Sequence, residues 1–268
     1  MSVPLWTRRH PPQPDREAEV VLYVFSRGDP QRGPLHSGRV GLPEGRLHGV
    51  EVRRHRREAA LDWFDTFRTG PLRASAVAHL ADLAALDAAD TCHSIRAAVP
   101  DPPDLGHLQA AWAVARWLLT TGADVVLDGA AIRFRTAAPA VGPQLDIRDH
   151  VSILVETTPS LGGDGCVMHT RGLRAFGRPD LVTVVRPTDV DPLGPVLLRL
   201  AAALADGWMP ETGTEVDLGG GAAIAVHRDP GLALVRALGL NNDALVLTDL
   251  AGDALVGFAE RLGAAMPA

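Results

Sequence analysis

The sequence predicts an α+β protein: a mixed, largely antiparallel sheet or pair of sheets, with helices packed on one face and the chain divided into two similar-sized halves. Three observations predict it. Short apolar runs bounded by glycine, proline and aspartate are interspersed with longer stretches of helical period. Several consecutive strand-like runs lie too close together for a crossover helix between them, which requires antiparallel pairing. And 46% of the 268 residues are hydrophobic, enough to fill one large core or two modest ones.

The elements follow in order. Residues 1–17 carry four prolines and no apolar run, and read as a flexible arm. EVVLYVFS, Glu19–Ser26, is a strand; the Gly/Pro-dense residues 27–45 are a loop; GVEVRRHR, Gly49–Arg56, is a second, half-exposed strand. Helical spacing runs over Glu58–Phe67 and Pro71–Asp87, with Pro71 suited to a first turn. TCHSIRAAV, Thr91–Val99, is a strand, and PDPPD then breaks the chain and offers Asp104 as an N-cap. Leu105, Leu108, Trp112, Ala115 and Leu119 form one helical stripe, Gly122 stops it, and Ala123–Asp128 is the strand that completes a strand–helix–strand unit. AAIRFRT, residues 130–136, is a short hairpin partner. A linker at Pro139–Gln144 separates an N-terminal half, 18–138, from a C-terminal half, 144–268, unless the two are one continuous domain. The second half holds strands HVSILVET, GCVMHT and DLVTVVRP and a helix from Leu193 to Gly207. A hairpin around Gly219–Gly221, the strand DALVLTD and a closing helix over 253–266 complete it.

Composition removes several function classes. The formal charge of -6 offers no basic field for nucleic acid, and the run Arg53–Arg57 reads as a solvated face. No apolar stretch approaches the ~20 residues of a membrane span, and two cysteines, Cys92 and Cys166, fit a reducing cytoplasm. The chain has no lysine, so its 26 basic residues are all arginine. That removes Schiff-base catalysis, the phosphate-loop lysine and kinase chemistry, and no cofactor is expected.

One stretch concentrates chemistry: HTRGLRAFGRPDL, residues 169–181. Thr170 is placed to cap a short helix from Arg171 to Phe176, Gly177 to end it, and Leu173 and Phe176 to pin it to the core. This leaves His169, Arg171, Arg174, Arg178 and Asp180, which with Thr170 form either an exposed cradle for a carboxylate or phosphate, with Arg171 and Arg178 as its anion anchors, or braces of the turn. Gln109, flanking the helical stripe, and Trp117, off it, are further candidates for contact with a ligand or protein partner. The rival expectation is a hydrolase using His169 or His93 with Glu156 or Asp128, with or without a metal. No close ligand pair supports the metal, and His93 alternates with Cys92 across a strand, so the two point apart. Pairing Cys166 with His169 as a nucleophile is disfavoured by the apolar strand around the cysteine, and G-x-S-x-G and G-x-G-x-x-G are absent.

HTRGLRAFGRPDL, with DLGHLQAAWAVARWLLTTGADVVLD before it, resembles the bacterial family catalogued as domain of unknown function 4261. There a T-x-G-[LM]-x-x-F-G-x-P-[DE] stretch follows an Ala-rich helix and a short strand ending in Asp. The resemblance spans roughly Thr91 to Gly207, with Asp180 where Glu is common. It implies no activity, only a cytosolic accessory, immunity-like or interaction role. The reading of the whole chain is therefore a binding protein for a protein partner or a small anionic ligand, without nucleic acid or membrane.

Overall fold

A computed structural model describes residues 4–13, 15–30, 33–140, 144–157, 165–219, 222–229, 235–236, 238–252 and 254–255. The first half supplies β1 (Glu17–Ser26), β2 (Val50–Arg56), β3 (Thr91–Pro100), β4 (Val125–Asp128) and β5 (Arg133–Arg135), in the sheet order β2-β3-β1-β4-β5. Every pairing in it is antiparallel. β3 and β4, joined by helix α4 (Gly106–Thr120), therefore run parallel with β1 inserted between them, and the expected strand–helix–strand unit is a split one. Asp104 Oδ1 accepts the Gly106 N–H at 2.8 Å and starts α4 one residue before its formal cap.

Alternation decides what covers each face. Val20, Leu22 and Val24 of β1, with Ile95 and Ala97 of β3, face α4 and its stripe of Leu108, Trp112 and Ala115. The intervening Phe25 and Cys92, with Val125 and Leu127 of β4, face the other way. There α1 (Leu61–Thr66), α2 (Gly70–His79) and α3 (Ala84–Ala88) bring Phe64, Phe67, Ala76 and Leu86 onto them. The first sheet thus carries helices on both faces, not on one. The single helix expected over Pro71–Asp87 is α2 and α3 instead, because Asp82 Oδ1 takes the Ala84 N–H at 2.9 Å and starts a new helix. The first helix is also shorter than expected, with a 3-10 turn at Arg57–Ala59 ahead of it.

The second sheet has the order β6-β7-β8-β11-β10-β9. Its strands are β6 (Ser152–Thr157), β7 (Cys166–Arg171), β8 (Asp180–Val185), β9 (Thr214–Gly219), β10 (Ala222–Arg228) and β11 (Ala244–Thr248). Only the β8–β11 pairing is parallel among the described residues. Helix α5 (Val190–Ala205) covers one face with Leu193, Val196, Leu197, Leu200, Ala201 and Leu204, a run at helical spacing. These side chains belong to the same buried cluster as the α4 stripe, so the apolar core is continuous through both halves. The helix expected over residues 253–266 lies almost wholly outside the described residues, as does the middle of the 139–144 linker.

The N-terminal residues read as a flexible arm are fastened down as far as they are described. Trp6 is 6% exposed in the common core, Thr7 bridges Asp104, and the Arg8 guanidinium is buried. One buried indole and a buried ion pair outweigh the disorder that four prolines suggest.

Candidate functional site

The motif at residues 169–181 is the joint between the halves. β7 runs through Arg171, so the expected short helix shrinks to one 3-10 turn at Leu173–Phe176, and Thr170 does not cap it. Gly172, at φ 123°, turns the corner where a side chain would strike the His150 carbonyl, and Gly177, at φ 63°, ends the turn against the backbone of Ala18. Leu173 and Phe176 are fully buried, as expected of anchors. The Thr170 hydroxyl donates to Asp180 Oδ1 at 3.0 Å and accepts the Leu181 N–H at 2.8 Å. Asp180 also receives Asn242 Nδ2 at 2.9 Å, and burial, working against these donors, pushes its carboxyl up to about 6.

The arginines turn inward. Arg178 is 1% exposed and grips Asp101 with both terminal nitrogens, at 2.8 and 2.9 Å, while donating to the Gly207 carbonyl at 3.2 Å. Arg8 binds the same carboxylate and donates to the carbonyls of Phe176, Pro102 and Ala205, the last at the C-terminal end of α5 where a cation is favoured. Arg171, 7% exposed, donates to the carbonyls of Leu238 and Gly239 at 3.2 and 3.4 Å. The accessible cradle expected of Thr170, Arg171, Arg178 and Asp180 is therefore not formed. These groups satisfy polar atoms that the meeting of the two halves would otherwise bury unpaired. Arg174 alone stays half-exposed, donating to Glu19 and to the Asn241 carbonyl at 2.6 Å. Gln109 is likewise internal: its amide receives Trp6 N–H at 3.4 Å and donates to the Pro4 carbonyl at 2.8 Å, so it holds the arm. Trp117 packs, half-buried, against the common core.

Of the hydrolase candidates the structure brings together one pair, His169 and Glu156, and leaves His93 and Asp128 apart from it. His169 lies in the second sheet, fully buried, with Nε2 3.1 Å from Glu156 Oε1. His93 lies in the first sheet, equally buried, 3.4 Å from the Asp29 carboxylate, and burial lowers its pKa. The two imidazoles do not converge. Asp128 accepts the N–H groups of Ala130 and Ala131 at 3.0 and 3.1 Å, a turn-forming role, while burial pushes its carboxyl up to about 6. Cys166 donates to the Val185 carbonyl and its thiol is raised by burial. Among the described residues no group of three His, Cys, Asp or Glu could hold a metal ion. The Arg53–Arg57 run is paired off: Arg53 with Glu51, Arg54 with Asp29, Arg56 with Glu58, Arg57 with Asp65.

The convergent groups sit elsewhere, over the half of the first sheet's outer face that α1–α3 leave bare. A cleft of about 380 Å³ is lined there by Tyr23, Glu51, Arg53, His55, Trp63, Ser94 and Arg96, with Val21 and Ala60. Strand register assembles it: Arg53 stands opposite Ser94, and Ser94 opposite Tyr23. His55 Nε2 lies 2.8 Å from Ser94 Oγ, and its ring stacks on Trp63 at 4.6 Å and 37°. Burial, then the Arg53 charge, lowers the His55 pKa, so the ring is neutral at neutral pH. Arg96 donates to Glu19 Oε1 at 2.6 Å, and Arg174 of the joint takes the other oxygen. Three guanidiniums, Arg53, Arg96 and Arg174, thus meet the carboxylates of Glu51 and Glu19, and the Glu17 charge also acts on Arg96. Of these groups Arg53, Arg96 and Glu51 line the cleft itself.

A larger cavity, about 850 Å³, follows the docked arm between Trp6, Ile147 and Ala202, but its arginines, Arg8, Arg9 and Arg148, are paired with Asp101, Asp206 and Asp146. The smaller cleft has one local signal in the sequence, GVEVRRHR, where Glu51, Arg53 and His55 alternate onto a single face; its other lining residues come from segments distant in the chain. Among the described residues no helix is long and apolar enough to cross a membrane. Compared with protein-family models, curated proteins and solved structures, the chain finds no match in any of the three.

Proposed function

We propose that the chain is a binding protein that takes a small anionic ligand with a flat, apolar body in the cleft over β1, β2 and β3. The observation that carries this reading is that two guanidiniums, Arg53 and Arg96, against one carboxylate, Glu51, line the cleft beside an aromatic wall of Tyr23, Trp63 and His55. Pockets of this make-up bury the apolar body of a ligand and orient it with a few polar groups. The Arg53–Glu51 pair is more than half exposed on both sides, so a ligand anion displaces Glu51 at little cost. A small molecule is favoured over a protein partner because, among the described residues, the exposed large apolar ones, Leu61, Val77, Val155 and Leu250, stand on four separate segments. A cytosolic accessory role, which the family resemblance implies, is compatible with such a receptor.

Titration with 2-naphthoate, followed by calorimetry, tests the reading. Wild-type protein should bind it, the neutral analogue 2-naphthylmethanol should bind more weakly, and Arg96→Gln should weaken naphthoate about 5- to 10-fold, the loss of roughly one charge-assisted hydrogen bond. Equal binding of acid and alcohol, or an unchanged affinity in Arg96→Gln, would remove the anion from the proposal.

A further inference from the structure

We infer that the cleft also reacts with what it binds: Ser94 is a nucleophile, with His55 as its general base, towards esters that carry an anionic group and an aromatic leaving group. This rests on the cleft being the binding site proposed above. A serine hydroxyl is a weak nucleophile unless a base stands within hydrogen-bond reach, and His55 Nε2 at 2.8 Å from Oγ meets that condition. The same hydroxyl has a second, weaker outlet in the Arg53 carbonyl at 3.4 Å, so the imidazole is its preferred partner. With its proton on Nδ1 the ring accepts at Nε2, and its lowered pKa keeps it in that neutral, proton-accepting form. No carboxylate among the described residues hydrogen-bonds to His55; the Trp63 ring stacked at 4.6 Å restrains the imidazole plane instead.

The step balances without a cofactor. Ser94 Oγ attacks the ester carbonyl carbon, its proton passes to His55 Nε2, and the negative charge that builds on the carbonyl oxygen lies in the field of Arg53 and Arg96, which line the same cleft. The carbonyl–oxygen bond to the aryl group breaks, the aryloxide leaves, His55 releases the proton it took to the aryloxide or to solvent, and an acyl ester remains on Ser94. Water then attacks the acyl carbon, its proton passing to His55 Nε2; the bond from that carbon to Ser94 Oγ breaks, Oγ takes the proton from His55, and the free acid departs. His93 and His169 face carboxylates inside the two sheets, and where a second serine meets an imidazole, Ser75 with His79 at 3.2 Å, the hydroxyl has a closer acceptor in the Ile132 carbonyl at 2.7 Å.

The full chain mixed with mono-p-nitrophenyl succinate, whose free carboxylate and aromatic leaving group match the cleft, should release a stoichiometric burst of p-nitrophenolate and carry a succinyl adduct on the peptide containing Ser94. Ser94→Ala should abolish the burst, and His55→Gln should slow it about a hundredfold, the lower end of what a general base supplies. The wild-type rate should rise with pH through an inflection below the ordinary imidazole value, a profile that a purely structural histidine would not produce. Circular dichroism of both variants excludes misfolding as the cause, and 2-naphthoate should block the burst. A burst that survives in Ser94→Ala, or an adduct mapped to His55 or Tyr23, overturns the inference. Naphthoate binding with no burst also overturns it while leaving the binding reading intact; absence of both removes the two together.

Discussion

Replacing Asp101 with alanine should cost about 3–5 kcal/mol of folding stability, measured by urea unfolding at neutral pH. The carboxylate lies between two guanidiniums whose side chains, on Arg8 and Arg178, are 1% and 0% exposed. Burial works against its charge, but hydrogen bonds from Arg178, from the Gln13 N–H at 2.6 Å and from Arg8 outweigh that and hold its pKa below the ordinary value. Removing it leaves two cations buried with backbone carbonyls as their remaining hydrogen-bond acceptors and only the more distant Asp206 charge acting on Arg8, the costly way to break an internal ion pair. The triple change Arg8→Met, Asp101→Leu, Arg178→Met takes away all three charges and should recover most of the loss. The single change should also weaken the hold on the arm, because Arg8 is its charged anchor, and so alter the fluorescence of Trp6. A cost under about 1 kcal/mol for Asp101→Ala would mean that water enters and that the cluster does not hold the halves together.

That cluster shows where local reading stops. Within HTRGLRAFGRPDL, the anchors Leu173 and Phe176 and the left-handed Gly177 were legible because each depends on neighbours a few residues away. The direction of Arg178 was not. Its partner Asp101 lies 77 residues earlier, and Arg8, which shares that carboxylate, lies 93 residues before Asp101. A glycine- and proline-bounded corner dense in arginine looks identical in sequence whether it faces water or a second sheet. The same limit hid the cleft. Alternation along β2 places Glu51, Arg53 and His55 on one face, but Ser94 joins them only through the β2–β3 register, and Trp63 only because α1 folds back over the sheet. Strands, by contrast, were mostly legible, since period-two burial is written into residues such as Val20, Leu22 and Val24.

Replacing His150 with phenylalanine should leave stability within about 1 kcal/mol of wild type at pH 7.5, yet make the variant about 3 kcal/mol more stable than wild type, relative to that baseline, at pH 4. His150 is 2% exposed, with ring centroids 5.8, 6.0 and 6.2 Å from Trp6, Trp112 and Phe176, and its Nδ1 has no hydrogen-bond partner among the described residues. Burial, then the charges of Arg135 and Arg133, pushes its pKa down from 6.5 to about 3. A pKa depressed in the folded state means that the unfolded chain binds the proton first. The stability contributed by the neutral ring is thus complete above pH 6.5 and is lost progressively as pH falls towards 3. At pH 4 the ~2.5 units already crossed, at 1.36 kcal/mol each, give the expected difference. Asp128 and Asp180 act in the opposite sense: raised from 3.8 to about 6, they favour the folded state below 3.8 and lose that contribution as pH rises through 6. Wild-type stability between pH 4 and 6.5 is therefore a sum of opposed terms and is a poor gauge of any one of them. The difference between wild type and His150→Phe cancels the two aspartates and isolates the imidazole. If that difference stays flat from pH 7.5 to 4, the ring between the two tryptophans is reached by water and is not held neutral by the joint.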